Sequence, residues 1–152
     1  AKSIIHRDIK PENVFVAVLG GEPDIVKLLD FGIAKGAPDT DAKLTVTGAV
    51  AGTPAYMPPE VILGRAADVR SDIYCFGATL FFAATGKLPF SQQTQVGLLA
   101  ARLMSEPPRL SEAAPGPIPP LLGTIVLRCM ATDPGARYGS VQEVLDALGG
   151  LG

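Results

Sequence analysis

Residues 4–15, IIHRDIKPENVF, set His6, Arg7, Asp8, Lys10, Glu12 and Asn13 between two apolar ends. A solvated surface turn explains such a cluster if nothing else in the chain answers to it. A site where charge is handled explains it if matching groups follow. Moving a phosphoryl group onto a hydroxyl needs a carboxylate beside the attacking oxygen, a cation near the transferred group, and oxygen ligands for a metal that neutralises phosphates. This loop holds all three kinds of group. Asp8 can take or orient the hydroxyl proton, Lys10 can meet developing negative charge, and Asn13 can hold a divalent metal through its amide oxygen.

Outward from the loop, Val14–Val18 and Ile25–Leu29 are short runs rich in β-branched residues, flanking the turn-forming LGGEPD. They predict a β-hairpin that returns Asp30 beside the loop carrying Asn13. Oxygen donors from an Asn and an Asp suit magnesium. The Thr-rich stretch from Gly36 to Gly52 has little periodicity, and in TPAYMPPE the prolines Pro54, Pro58 and Pro59 argue against a helix, so a long loop is expected. Ser71 is a candidate N-cap for a buried helix starting at about Asp72, with Gly86 placed to end it. Helical spacing recurs at Val96, Leu99 and Leu103, and at Leu121 or Leu122, Ile125 and Cys129. In the last helix Ser140 and Glu143 make a capping box, Val141, Val144, Leu145 and Leu148 one face, and Gly149 and Gly150 the stop.

The 152 residues suffice for one domain with a proper core. With 13 basic and 15 acidic residues the net charge is -2, which gives no bulk electrostatic attraction to nucleic acid or an anionic membrane. Cys75 and Cys129 both lie in apolar runs, where a thiol behaves as a small hydrophobe, and no disulfide framework or metal site is expected. A reducing, cytoplasmic setting follows. The apolar run Ile73 to Ala84 falls short of the roughly 20 residues a membrane helix needs, so it reads as a core helix. The chain starts abruptly on AKSII without a targeting pattern, a start expected of a fragment boundary.

HRDIKPEN followed by DFG (Asp30, Phe31, Gly32) resembles the catalytic loop and metal-binding motif of the eukaryotic-type serine/threonine protein kinases, and the phrasing is most similar to their bacterial members. Further matches come in family order: GTPAYMPPE resembles the end of the activation segment, SDIYCFG the start of the central helix of the large lobe, and DPGAR the loop before the last helix. Five such motifs in order over nearly the whole chain are specific. The resemblance implies an α+β, mostly helical fold, an incomplete kinase-like C-terminal lobe over residues 1–149 with a short hairpin at the catalytic loop. Residues 150–152 form a tail.

Carried over residue by residue, the resemblance makes Asp8 the catalytic base and Lys10 the phosphate-facing lysine, with Asn13 and Asp30 as Mg2+ ligands for ATP. It makes Thr53 a hydrogen-bonding partner of Asp8 and Lys10 that seats a Ser or Thr of a protein substrate. His6 and Phe31 would stack in a hydrophobic spine, and Asp72 would anchor the catalytic loop from below. Arg7 would be a buried guanidinium awaiting a phosphate on the activation segment, with Thr45 and Thr47 as the expected acceptors. Glu60 and Arg137 would form a buried ion pair. Glu12 would weakly favour a basic residue before the target.

No Gly-rich phosphate lid and no small-lobe lysine strand occurs in these residues, so the chain by itself is expected to be inactive and its central helix to expose apolar surface. Two rivals remain. A small-molecule phosphotransferase of the aminoglycoside or choline kinase kind shares a similar loop but has no use for GTPAYMPPE, and a non-catalytic kinase-like scaffold would lack the lid and strand lysine in its gene.

Overall fold

The computed structural model describes residues 4–29 and 54–151. Among these, β1 (Val14–Leu19) and β2 (Glu22–Leu28) are followed by α1 (Pro59–Ile62), α2 (Val69–Thr85), α3 (Gln95–Met104), α4 (Leu110–Ala113), α5 (Pro120–Cys129) and α6 (Val141–Leu148). Single 3-10 turns cover Pro11–Asn13, Pro54–Tyr56, Pro134–Ala136 and Gly149–Leu151. The described part is mostly helical with one small antiparallel sheet, in line with the expected class.

The hairpin is tighter than LGGEPD suggested. Leu19 pairs with Glu22, leaving Gly20 and Gly21 alone in the turn at φ 60 and 88, the left-handed pair that a two-residue connection matching strand twist requires. Between that pair and Ala17↔Ile25, β2 carries one residue more than β1, and Asp24 at φ 61 takes up the excess as a bulge. Pro23 and Asp24 therefore belong to a strand, not to the turn. Among the described residues no second layer covers this ribbon: Phe15, Val16, Val18 and Val26 are all exposed.

The centre of the molecule is α2. Its N-cap is Asp68, whose Oδ1 accepts from Arg70 N while its own N–H donates to Ser71 Oγ, so the helix starts three residues before the expected position and Ser71 belongs to its first turn. Gly86, at φ 68, ends it as the sequence suggested, its N–H donating to Phe82 O. One side of α2 (Tyr74, Ala78, Phe81) packs with Tyr56, Phe90, Leu110, Val126 and Met130, and Ile73 joins Ile125, Cys129, Tyr138 and Val144 in a second cluster. Gly77 permits the close approach of α5: a Cβ there would lie 2.6 Å from Cys129 Cβ. Buried Thr79 and Thr85 return their hydroxyl protons to the Cys75 and Phe81 carbonyls, which spares the core unpaired polar atoms. The exposed apolar surface expected on this helix is found on the hairpin instead, because α4 and α5 pack directly on α2 and residues of α3 back its core cluster.

Three local readings change. Pro59 opens α1, since at the first helical position the missing N–H is one of the donors a helix leaves unpaired anyway. In α3 the inward residues are Leu98, Ala101 and Arg102, while Val96 is exposed. In α6, Val144, Ala147 and Leu148 face inward, whereas Val141 and Leu145 are exposed. Ser140 Oγ caps α6 by accepting from Glu143 N, but the Glu143 carboxylate reaches one residue further back, to Gly139 N; Gly149 is the C-cap that ends the helix, as expected, and opens the 3-10 turn Gly149–Leu151.

Candidate active site

The loop of residues 6–13 is positioned from α2. Asp72, in the first turn of that helix, accepts from two successive amides, His6 N at 2.6 Å and Arg7 N at 2.9 Å. Arg7 adopts φ 65, a left-handed backbone that a non-glycine residue holds only where the surroundings impose it. His6 is buried, and its Nδ1 accepts from Asp8 N at 3.3 Å. Arg7 is exposed, contrary to the buried guanidinium expected, because the backbone contacts with Asp72 leave its side chain outside.

Downstream, Pro11 starts a 3-10 turn that closes with Asn13 N donating to Lys10 O at 3.0 Å. This turn folds the loop back on itself. Asn13 Nδ2 donates to both Asp8 O (2.8 Å) and Asp8 Oδ2 (3.1 Å), and Lys10 Nζ lies 3.2 Å from the same Oδ2. Asp8, Lys10 and Asn13 are thus brought together, with the Asp8 and Lys10 side chains only about one-fifth exposed. The hairpin returns to the same place, Leu29 N donating to Asn13 O at 2.8 Å. Asp30, Phe31, Gly32, Thr45, Thr47 and Thr53 lie outside the described residues.

Of the two expected metal ligands, Asn13 is the one described. Both Asn13 contacts use the amide nitrogen, so its oxygen, the harder donor, has no protein partner among the described residues.

Beside the loop a groove of about 520 Å³ is lined by Pro11, Glu12, Ala55, Tyr56, Phe82 and Leu88. Burial raises the Tyr56 hydroxyl pKa above its ordinary value, and the Glu12 carboxylate nearby adds to the shift. The Pro54–Tyr56 wall is secured from behind, where Cys75 Sγ donates to Tyr56 O and Arg102 Nη1 to Met57 O. Sequence patterning did not single out Arg102, Phe82 or Leu88. For Arg102 the only available signal was its place one turn after Leu98 on a helix.

Below the groove, Glu60 and Arg137 form a bidentate pair, Nη1 to Oε1 at 2.9 Å and Nη2 to Oε2 at 2.8 Å, with neither side chain more than 6% exposed. Arg137 also donates to the carbonyls of Ala131, Arg70 and Thr132, and its guanidinium lies over the Tyr74 ring. Burial pushes the Glu60 pKa up, but hydrogen bonds from Arg137 and Ser71 outweigh it and hold the carboxyl below its ordinary value.

The family profile of the protein kinase domain matches residues 1–147. The chain belongs to the protein kinase family. Within that family it is 40% identical over 148 residues to the serine/threonine-protein kinase Pkn1 of Myxococcus xanthus, covering 97% of this chain and 21% of that protein. It is 43% identical over 142 residues to pkn3 of the same organism, covering 91% of this chain and 26% of the relative. The probable serine/threonine-protein kinase PknB of Corynebacterium glutamicum is 36% identical over 151 residues, 97% of this chain and 23% of its own length. The chain thus spans about a quarter of the length of these bacterial kinases. Among the described residues no helix is long and apolar enough to cross a membrane.

Proposed function

We propose that this chain is part of the C-terminal lobe of a bacterial serine/threonine protein kinase, and that its protein transfers the γ-phosphoryl group of ATP to Ser or Thr hydroxyls of protein substrates. The observation that carries this reading is the convergence of the Lys10 ammonium and the Asn13 amide on one carboxylate oxygen of Asp8. Asp8 receives the proton of the attacking hydroxyl as the new oxygen–phosphorus bond forms, the bond to the bridging oxygen breaks, and ADP leaves. Lys10 offsets negative charge that develops on the transferred group, and Asn13 keeps the Asp8 carboxylate aimed. Asn13 and Asp30 are the residues that would hold magnesium, which supplies neutralisation of the phosphates when bound. Asp72 fixes the loop, His6 and Phe31 contribute packing, and Thr53 seats the substrate hydroxyl.

The groove beside Glu12 supports a peptide substrate over a small molecule, since its apolar wall of Phe82 and Leu88 suits the stem of a long side chain and Glu12 its basic head. Arg7, being exposed, is accessible to a phosphate on Thr45 or Thr47. The setting is cytoplasmic, where ATP is available and the two buried thiols stay reduced.

In the full-length protein, Asp8→Asn should lower transfer of labelled phosphate to a Ser/Thr peptide by about 10²–10⁴-fold while the melting temperature holds. Unchanged transfer would overturn the reading. The 152-residue chain by itself, which has no Gly-rich lid, should transfer none.

A further inference from the structure

Arg102 is the largest side chain sealed in this core, at 1% exposure. Its Nη1 donates to Met57 O at 2.7 Å, across 45 residues of sequence, and the guanidinium lies 5.6 Å from the Phe90 ring centroid. Its Nε and Nη2 are buried without an acceptor among the described residues. Among the described residues no carboxylate pairs with it; the acidic groups that bear on it are Tyr74, Cys75 and Tyr56. These are neutral at ordinary pH, since burial pushes Tyr74 and Cys75 each up to about 12 and raises Tyr56 as well. A buried cation with no counter-charge and two unmet donors lowers stability, so the fold as such gains nothing from it.

What Arg102 does supply is a fixed point on the substrate side. Tyr56 O is held by Cys75 Sγ from α2 at 3.2 Å, and the next carbonyl, Met57 O, by Arg102 from α3. Two consecutive carbonyls, the last of the 3-10 turn Pro54–Tyr56 and the one after it, are thereby tied to two different helices. The same segment gives Ala55 and Tyr56 to the groove opposite Glu12, and leads directly into Glu60 and its pair with Arg137. Among the described residues, the Arg102 hydrogen bond is the side-chain contact on this backbone between the Cys75 contact and the start of α1.

We propose that Arg102 is a positioning residue for peptide binding, retained at a cost in stability because its hydrogen bond to Met57 O holds the Ala55–Tyr56 wall of the groove in register with the catalytic loop. This rests on the kinase reading above. It predicts a separation that a residue with a merely structural role would not show: loss of peptide binding without loss of stability or of nucleotide binding.

The test compares Arg102→Met and Arg102→Gln with the wild type in the full-length protein, reading melting temperature, KM for ATP and KM for a Ser/Thr peptide. Arg102→Met removes the donor. It should melt no lower than wild type and keep the ATP KM, while the peptide KM rises about tenfold, what loss of one charged hydrogen bond is worth. Arg102→Gln, which keeps an N–H donor but not the charge, should recover most of the peptide KM. A lower melting temperature or failure to fold in Arg102→Met would overturn the proposal, because it denies the stability cost. So would an unchanged peptide KM, an equal rise in both KM values, or a Gln variant that behaves like Met. A wild-type protein that phosphorylates no Ser/Thr peptide would instead sink the kinase reading, and the proposal with it.

Discussion

Arg137 and Arg102 are buried to nearly the same degree, at 3% and 1% exposure, yet the protein solvates them in opposite ways. Arg137 directs every nitrogen at an acceptor: both Glu60 oxygens and the carbonyls of Ala131, Arg70 and Thr132, with Tyr74 beneath it. Among the described residues Arg102 makes one side-chain hydrogen bond and lies near the Phe90 ring. The first is a complete replacement for water and knits α1, α2 and the turn before α6 into one base. The second serves a single carbonyl. Burial of a charge is therefore no measure of what that charge contributes; the count of satisfied donors is.

The sharpest way to break this contrast is to remove Arg137. Arg137→Met strands the Glu60 carboxylate in the base and should cost about 3–5 kcal/mol, read by denaturant unfolding, where Arg102→Met should cost none. A loss of similar size in both variants would erase the distinction. A smaller effect should follow from Ser71→Ala, since Ser71 Oγ donates to Glu60 Oε1 at 2.6 Å and also accepts from Asp68 N in the cap of α2. About 1–2 kcal/mol is expected, again by denaturant unfolding, with no change at Met57.

The smallest effect is acid sensitivity. The Glu60 carboxyl titrates lower in the folded protein than its ordinary value of 4.5, so its contribution is fully present above that value and is lost as pH falls through the folded pKa. Thermal melts from neutral pH down to about pH 3 should show stability falling below the ordinary glutamate range. In Glu60→Gln that decline should be shallower, from a lower starting point, whereas Arg102→Gln should leave its slope untouched.

Much of this site could be read before any coordinates. IIHRDIKPENVF concentrates polar groups between apolar ends, which the later motifs turn from an ordinary turn into a candidate site, and Asp8, Lys10 and Asn13 do converge. The hairpin was legible from its β-branched runs. Its turn was not, because Glu22, Pro23 and Asp24 carry turn chemistry by composition, while the strand register needs only Gly20 and Gly21. The start of α2 was displaced for a similar reason: Asp68 and Ser71 are both good caps, and only the contact with Glu60 shows that Ser71 is engaged elsewhere. Pro59 looked like a breaker although its position makes it a starter. Arg102 was illegible on principle, since an arginine in a helix reads as solvent-facing until the tertiary packing places it inside.

The two amides that meet on Asp72 carry one more consequence. The loop of residues 6–13 hangs from α2, whose side chains enter both buried clusters, so its backbone is referenced to the interior and not to the surface to which it opens. On the proposed kinase reading, the aim of Asp8 is inherited from that interior, and change on the outer faces leaves it in place.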